Sequence, residues 1–380
     1  MTARTSVGTA GADLIFITRL EPGRDGVRLA VKDLFDTAGV RTTYGSAVFA
    51  DHVPDRSADA VLLLEEAGYV SVGKTNLHEF AYGVTSQNEH YGTVPNPAAR
   101  GRTAGGSSGG SAAALAAGLA DAALGTDSGG SIRIPAACCG VVGFKPTFGL
   151  VSTEGVFPLA PSYDHVGPMG RDVAACVEAM RALAPGVAIE PVDLDALGVG
   201  IAWTDQAAPL VHERVVAAAG SFGTCTQVEL TAGQETMPVF MREVADVHRE
   251  LYAEDPELYG ANIRPKIERC LAVSDAELAG AGTAREAYRR QAEAMLDGLD
   301  LLVTPTLPFV APPADVDEIS ARDQIVRFTY PFNALGWPVL ALPCGLAEDG
   351  LPASLQLAGR PGDDGLVLGA GLALEAALKR

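Results

Sequence analysis

Short apolar runs alternate with helix-like stretches along the first half of the chain. Apolar runs at 27–31, 69–73 and 122–125 are typical of buried strands. A helix is predicted between the first two runs, from Ser57 as its N-cap to Ala67. A strand at 141–144 and further alternating helices and strands to about residue 230 continue the pattern, which indicates an α/β fold.

The second half of the chain begins with a polar, helical region at 235–300. A capping box formed by Ser274 and Glu277 predicts the start of a long amphipathic helix in that region. The apolar run 299–304 predicts a buried strand. Two further runs, 339–344 and 351–357, predict a hairpin that is closed around Asp349 and Gly350.

Two glycine-rich turns, around Ser107 and Ser131, interrupt this regular pattern. They lie on either side of a small-residue helix that is predicted at 111–120. Glycine opens backbone angles that are closed to other residues, and it lets N–H groups point into a shared cavity. Two hydroxyl-bearing turns around one helix therefore predict a reaction centre.

Three other interpretations of these turns compete with a reaction centre of this kind. A flexible linker is disfavoured because ten helix formers and a buried strand follow at once, and a phosphate-binding Walker loop is disfavoured because neither turn supplies its lysine. Residues 106–110 also fit GxSxG, which would make Ser108 the nucleophile of an α/β-hydrolase-type esterase with a downstream histidine. His165, His212 and His248 are available, although none lies in a loop suited to that role. This esterase and a non-catalytic binding scaffold remain alternatives.

The chain has only five lysines, and three of them lie in apolar or glycine-rich sequence. Lys32 ends the strand at 27–31, where burial would keep its amine neutral and able to act as a general base. Lowering its pKa from about 10.4 to about 7 costs roughly 4 to 5 kcal/mol, which buried lysines are known to tolerate. The alternative for Lys32 is an ammonium paired with Asp33 or Asp36. Ser71 and Lys74 fit SxxK, but the SDN and KTG partners of that motif are missing.

Together these segments resemble the amidase signature family, the Ser-Ser-Lys amide hydrolases. The resemblance covers nearly the whole chain and is most specific in the block 105–152. It rests on LAVKDLFDTAGVRTTYGS (29–46), VGKTNLHEFAYG (72–83), YGTVPNP (91–97), the block 105–152, DHVGPMGRDV (164–173), LLVTPTLPFVAPP (301–313) and the FNALGWPVLALPCG and DGLPASLQLAGRP segments (332–361).

The resemblance implies a role for each polar residue of that block. Ser131 would be the nucleophile, Ser107 the bridging serine with a cis peptide bond before it, and Lys32 the base. The backbone N–H groups of the turn would form the oxyanion hole, and its neighbours would support the turn. The oxyanion donors implied are Ser128, Gly129, Gly130 and Ser131, and the supporting residues are Asp127, Arg133 and Ser108.

The resemblance also implies a fold and a reaction. Residues 1–380 would form a single domain, with a mixed, mostly central sheet covered by helices on both faces and with 235–300 as a variable helical region over the site. The reaction would be hydrolysis of a small-molecule amide, without a metal or an organic cofactor. The alternative within the family is the glutamine-hydrolysing A subunit of an amidotransferase complex. Lys32 lies nearer the start of the chain than is usual in the family, and the segment before it can take part in subunit pairing in relatives. The oligomeric state is therefore open, with a homodimer as one candidate.

Composition narrows the class of partners. A net charge of −19 argues against nucleic-acid and anionic-membrane partners. No signal segment or apolar run of about 18 residues is evident, so a cytoplasmic protein is expected. The six cysteines lie in apolar surroundings and are expected to be reduced core residues. The aromatic residues that fit either a substrate pocket or the core are Tyr82, Tyr91, Phe157, Tyr163, Phe332 and Trp337.

Overall fold

A mixed sheet of eleven strands runs through the centre of the computed structural model, which describes residues 13–380. Two further short strands in the described residues form a separate hairpin. In chain order the strands are β1 (Phe16–Arg19), β2 (Val27–Lys32), β3 (Tyr69–Thr75), β4 (Gln87–Asn88), β5 (Gly92–Thr93), β6 (Ala122–Asp127), β7 (Val142–Lys145), β8 (His165–Gly170), β9 (Gly198–Ile201), β10 (Thr224–Gln227), β11 (Leu301–Pro305), β12 (Val339–Leu346) and β13 (Pro352–Ala358).

Helices flank this sheet and connect its strands. They are α1 (Asp59–Glu66), α2 (Gly109–Ala116), α3 (Arg133–Cys139), α4 (Val173–Leu183), α5 (Pro209–Ala219), α6 (Met237–Glu254), α7 (Arg264–Leu271), α8 (Asp275–Met295), α9 (Glu318–Val326), α10 (Tyr330–Leu335) and α11 (Asp364–Leu378). The predicted single domain with a mixed central sheet is confirmed.

The order of strands in the sheet is β1-β3-β2-β6-β8-β7-β12-β13-β11-β9-β10. Strand β2 lies between β3 and β6 and is parallel to both, whereas β8 continues the sheet antiparallel to β6. Because β2 and β6 run in parallel with Val31 opposite Leu124, their carboxyl ends lie side by side. Lys32 ends β2, and the second glycine turn follows β6 directly, so this edge brings the two together.

Most predicted elements are present, and the differences have local causes. The predicted N-cap Ser57 is wrong: helix α1 has Ala58 as its N-cap, because the Ser57 hydroxyl instead accepts the N–H of Ala38 at 2.9 Å. Helix α2 begins two residues earlier than predicted and ends at Ala116, since Gly118 adopts a positive φ of 72°.

The later elements follow the predicted pattern closely. The capping box at Ser274 and Glu277 is formed at the start of α8. The predicted hairpin is formed by β12 and β13, and Asp349 and Gly350 both adopt positive φ in the turn between them.

The described cysteines are free thiols, and five of the six are buried as expected. Cys225 is the exception, because it lies exposed on β10, the strand at one edge of the sheet. Over residues 13–380, none of the helices is both long and apolar enough to cross a lipid bilayer.

Candidate active site

The two glycine-rich turns meet in space. The N–H of Ser108 donates to the carbonyl oxygen of Ser131 at 3.1 Å, which joins the turns directly. The peptide bond between Gly106 and Ser107 is cis, as the family resemblance implied. A Cβ atom at Gly106 would lie 2.8 Å from the backbone nitrogen of Ser86, so only glycine fits there.

The side chain of Lys32 reaches the first turn from the end of β2. Its Nζ donates to Ser107 Oγ at 2.8 Å and to Thr126 Oγ1 at 2.6 Å. The side chain is fully buried, and burial lowers the pKa of Lys32 to about 7, against a smaller opposing effect of the Asp127 and Asp164 charges. Lys32 is therefore largely deprotonated a little above neutral pH.

The alternative of a paired Lys32 ammonium is wrong, since the neighbouring carboxylates have other partners. Asp33 forms its ion pair with Lys74, at 3.2 Å between Oδ1 and Nζ, and Asp36 accepts the Tyr44 hydroxyl at 2.7 Å. Lys74 is therefore held in a buried ion pair. Ser71, the serine of the SxxK match, donates to Glu65, so Ser71 and Lys74 are not arranged as a serine and its base.

Ser131 lies in the second turn, two residues before helix α3, and is 6% exposed. Within residues 13–380 its hydroxyl has no hydrogen-bond partner, although its own carbonyl accepts the N–H of Ser108. Thus the structure joins Lys32 to Ser107 by a hydrogen bond and joins the two turns through the backbone. It leaves the Ser131 hydroxyl free to be reached by a substrate.

A buried ion pair stabilises the second turn. Asp127 and Arg133 are fully buried and pair through two contacts, of 2.8 and 3.0 Å. The Asp127 carboxylate also accepts the N–H groups of Gly130 at 2.9 Å and Ile132 at 3.1 Å. Burial alone would raise the pKa of Asp127, but the Arg133 charge outweighs it and holds that pKa below its usual range. The pair therefore stays ionised and holds the turn through these N–H groups.

The predicted oxyanion donors lie on this turn, in different environments. The Gly130 N–H is engaged with Asp127, as described above. The carbonyl oxygen of Gly129 accepts the Thr329 hydroxyl at 2.6 Å. The Ser128 hydroxyl donates to Asp164 at 2.6 Å, so its side chain is held against the wall of the site.

Ser108, the nucleophile in the esterase alternative, is fully buried. Its hydroxyl donates to the carbonyl oxygen of Thr126 at 3.2 Å. His165 lines the same region, but its Nδ1 lies 2.6 Å from the carbonyl oxygen of Tyr163, and burial holds its pKa well below the usual value. Ser108 and His165 are not joined by a hydrogen bond within the described residues, so this geometry favours a supporting role for Ser108.

Several residues that the sequence analysis missed complete the site. Thr126 binds Lys32, and it could have been found because it lies beside Asp127 on β6. Asn333 and Gln356 each lie at least 200 residues from Arg133 along the chain and accept its guanidinium N–H groups, both at 2.7 Å. No local signal marks these last two residues, although both fall within segments that resemble the family.

A cavity of about 140 Å³ lies beside the second turn. Thr126 and Ser128 form part of its wall, and Phe157 is the one of the six aromatic candidates that lines it. Of the other candidates, Tyr163, Phe332 and Trp337 are core residues and Tyr82 lines a separate pocket, while Tyr91 is partly buried elsewhere.

Comparison with known proteins agrees with this geometry. The family model described as Amidase matches residues 18–197 and 199–368. The amidase of Pseudomonas putida is 37% identical over 389 residues, covering 93% of this chain and 82% of the relative. The A subunit of the glutamyl-tRNA(Gln) amidotransferase of Natronomonas pharaonis is 34% identical over 406 residues, covering 92% and 95%. A crystal structure of an amidase matches with a TM-score of 0.85 at 37% identity, covering 92% of this chain and 84% of that one.

These matches extend over nearly the whole chain and over both glycine turns. The chain therefore belongs to the amidase signature family. As an amidase, it is a hydrolase of carbon–nitrogen bonds.

Proposed function

We propose that the protein hydrolyses a small-molecule carboxylic amide through an acyl-enzyme on Ser131. The observation that carries this proposal is the fully buried Lys32 amine, with a pKa lowered by burial to about 7 and its Nζ 2.8 Å from Ser107 Oγ. A neutral amine at that position is a base, and the serine that it contacts belongs to the same pair of turns as Ser131.

In the first step Ser131 Oγ attacks the amide carbonyl carbon. Its proton passes to Ser107 Oγ, and the Ser107 proton passes to Lys32 Nζ, so that a carbon–oxygen bond forms without a free alkoxide. The Ser131 hydroxyl has no other partner within residues 13–380, and we infer that it turns toward Ser107 when substrate binds. Thr126 Oγ1 accepts one N–H of Lys32. When the amine is neutral, rotation about its C–N bond turns its lone pair toward Ser107, and the hydrogen bond between the two reverses so that the Ser107 hydroxyl donates to Nζ.

The proton then returns along the same path to the leaving nitrogen. Breakage of the carbon–nitrogen bond releases ammonia or an amine and leaves the acyl group on Ser131. Water attacks this ester with Lys32 again acting as the base, which restores the free serine and releases the carboxylic acid. The chain thus needs no general base other than Lys32.

Backbone N–H groups of the turn 128–131 would stabilise the tetrahedral oxyanion, each donor contributing on the order of 3 kcal/mol. The Asp127–Arg133 pair supports this role because it holds the turn through the N–H groups of Gly130 and Ile132. The Gly130 N–H would have to be shared between Asp127 and the oxyanion.

A screen for ammonia release over aliphatic, aryl and dicarboxylic amides tests the proposal. The wild type should release ammonia from at least one class, whereas Ser131→Ala and Lys32→Met should not, with near-unchanged circular dichroism. Ser108→Ala tests the esterase alternative: its hydroxyl bonds only to the backbone of Thr126, so its loss should lower the activity far less than Ser131→Ala does. Turnover by Ser131→Ala at the wild-type rate would exclude the proposal.

A second candidate is glutamine hydrolysis on behalf of a partner enzyme. Its support is the similarity to amidotransferase A subunits over 92% of this chain and 95% of the relative. This candidate predicts glutamine as the best substrate in the screen and stimulation by partner proteins that co-purify with the chain. A stand-alone amidase predicts neither result.

A further inference from the structure

The cavity beside the second turn is built into the wall of the proposed reaction centre. Its lining includes Thr126, whose Oγ1 accepts a hydrogen bond from Lys32, and Ser128, which lies three residues before Ser131. The cavity therefore borders both a residue that contacts the proposed base and the turn that carries the proposed nucleophile.

The rest of the lining is mostly apolar. Leu34 follows β2, Val166 lies on β8 opposite Thr126, and the loop 153–161 contributes Val156 and Leu159 among others. A cavity of about 140 Å³ is close to the roughly 150 Å³ of an apolar cavity that is known to hold benzene. The space therefore suits a group of about the size of a phenyl ring or a short branched alkyl chain.

This wall is fixed by backbone hydrogen bonds, so the cavity does not depend on a movable loop. The N–H of Phe157 donates to the carbonyl oxygen of Leu34 at 3.1 Å, and the N–H of Asp36 donates to Gly155 at 2.8 Å. These bonds tie the loop to the segment that follows Lys32. Binding to such a preformed site avoids the free-energy cost of ordering the loop.

The cavity offers no free charge to a charged ligand. Asp164 is the carboxylate in its lining, and its oxygens already accept the Ser128 hydroxyl at 2.6 Å and the N–H groups of Leu159 and Ala160 at 2.9 and 3.1 Å. Among the described residues that line the cavity, none is lysine or arginine. A carboxylate placed there would lose its hydration without gaining a counter-charge.

From this geometry we propose that the cavity binds an uncharged, apolar substituent of the amide substrate, no larger than about a phenyl ring. The proposal rests on the proposed amide hydrolysis at Ser131, and it names the class of substrate that the site selects. The substituent lies on the acyl side or on the amine side of the scissile bond, and the experiment below separates these two sources.

Val156 is the residue to change, because it is half-buried on the loop and can be enlarged without opening the core. Val156→Phe should narrow the cavity, and Val156→Ala should widen it. Val216→Phe is the matched control, since Val216 is exposed on α5 and does not line the cavity. Labelling of Ser131 by a fluorophosphonate probe is measured for each variant to show that the serine remains reactive.

Two series of substrates are compared by their kcat/KM values. The acyl series is acetamide, butyramide and benzamide, and the amine series is N-methylacetamide and acetanilide. In the wild type each added methylene should raise kcat/KM by about fourfold in the series that uses the cavity. Val156→Phe should lower the value for the largest member by at least about tenfold more than for the smallest, as expected for steric exclusion from an apolar pocket.

The charged arm uses succinamate, which carries a carboxylate where butyramide carries a methyl group. On the amine side it uses N-acetyl-β-alanine, which carries a carboxylate where N-propylacetamide carries a methyl group. For the pair on the side that uses the cavity, the wild type should prefer the uncharged amide by about 100-fold or more, because the carboxylate has no partner in the cavity. Equal effects of Val156→Phe and Val216→Phe on all substrates, or a preference for the charged member of that pair, would overturn the inference while Ser131 still reacts with the probe. Failure of Ser131 to react would instead reject the proposed function.

Discussion

Replacing Lys32 by methionine should inactivate the enzyme and at the same time stabilise its fold. The buried amine has a pKa of about 7 in place of its ordinary value of 10.5. At about 1.36 kcal/mol for each pH unit, this displacement corresponds to about 5 kcal/mol of unfavourable free energy for burying the charged form. Methionine is similar in length, carries no charge and avoids that cost.

The dependence on pH follows from the number of protons that each state binds. Below pH 7 both states hold a proton on Lys32, so the folded wild type bears the full cost. Between pH 7 and 10.5 the folded protein has lost that proton and the unfolded chain still holds it. The cost to the wild type is then only the free energy of deprotonating the unfolded lysine at that pH.

That remaining term shrinks by about 1.36 kcal/mol for each pH unit, so the stability of the wild type rises with pH through this window. Above pH 10.5 both states are neutral and the cost is gone.

The advantage of Lys32→Met over the wild type should therefore shrink as the pH rises. It should fall by about 2 to 3 kcal/mol from about pH 7.5 to about pH 9.5. The lost hydrogen bonds to Ser107 and Thr126 subtract about 1 kcal/mol each at every pH and leave this slope unchanged.

The assay is urea unfolding of both proteins, followed by the fluorescence of the buried Trp203 and Trp337. Lys379→Met serves as the control for removing a lysine from the surface, because Lys379 is 65% exposed. A difference between Lys32→Met and the wild type that does not change with pH would refute the claim that burial keeps this amine neutral.

Three further predictions follow from the same contacts. The kcat/KM of the wild type should rise with pH and reach half its maximum near pH 7, since only the deprotonated Lys32 accepts a proton, and a profile that is flat from about pH 5 to 9 would exclude this base. Asp127→Asn should lower stability by about 3 to 5 kcal/mol, measured by urea unfolding, because it leaves the Arg133 charge buried without its partner. Gly110→Ala should prevent normal folding, since its Cβ would lie 2.3 Å from a backbone oxygen, whereas Gly280→Ala, with open space around it, should raise the melting temperature slightly.

Sequence patterns were sufficient wherever the interacting residues are close in the chain or lie on neighbouring strands. The end of β2 at Lys32 follows from an apolar run, and the turns around Ser107 and Ser131 follow from their glycines. The sequence could also have indicated Thr126. Its hydroxyl faces the same carboxyl edge of the sheet as Lys32, so the parallel pairing of β2 and β6 places them together.

Patterns were insufficient where the partner comes from a distant part of the fold. Arg133 is held by Asn333 and Gln356, whose positions depend on how α10 and β13 pack against α3. The error at Ser57 has a similar origin, because its hydroxyl is used by Ala38 in a neighbouring loop and so is not available to cap α1. Tertiary contacts of this kind override local propensity.

The most direct measurement of the central claim is to identify the residue that carries the acyl group. The wild type is treated with a slowly hydrolysed activated ester or a fluorophosphonate, and the modified peptide is sequenced by mass spectrometry. Modification should be confined to Ser131, be absent in Ser131→Ala, and be slowed in Ser107→Ala and Lys32→Met while Ser108→Ala labels normally. Modification of Ser108, or unchanged labelling in Lys32→Met, would contradict the proposed relay from the buried amine to Ser131.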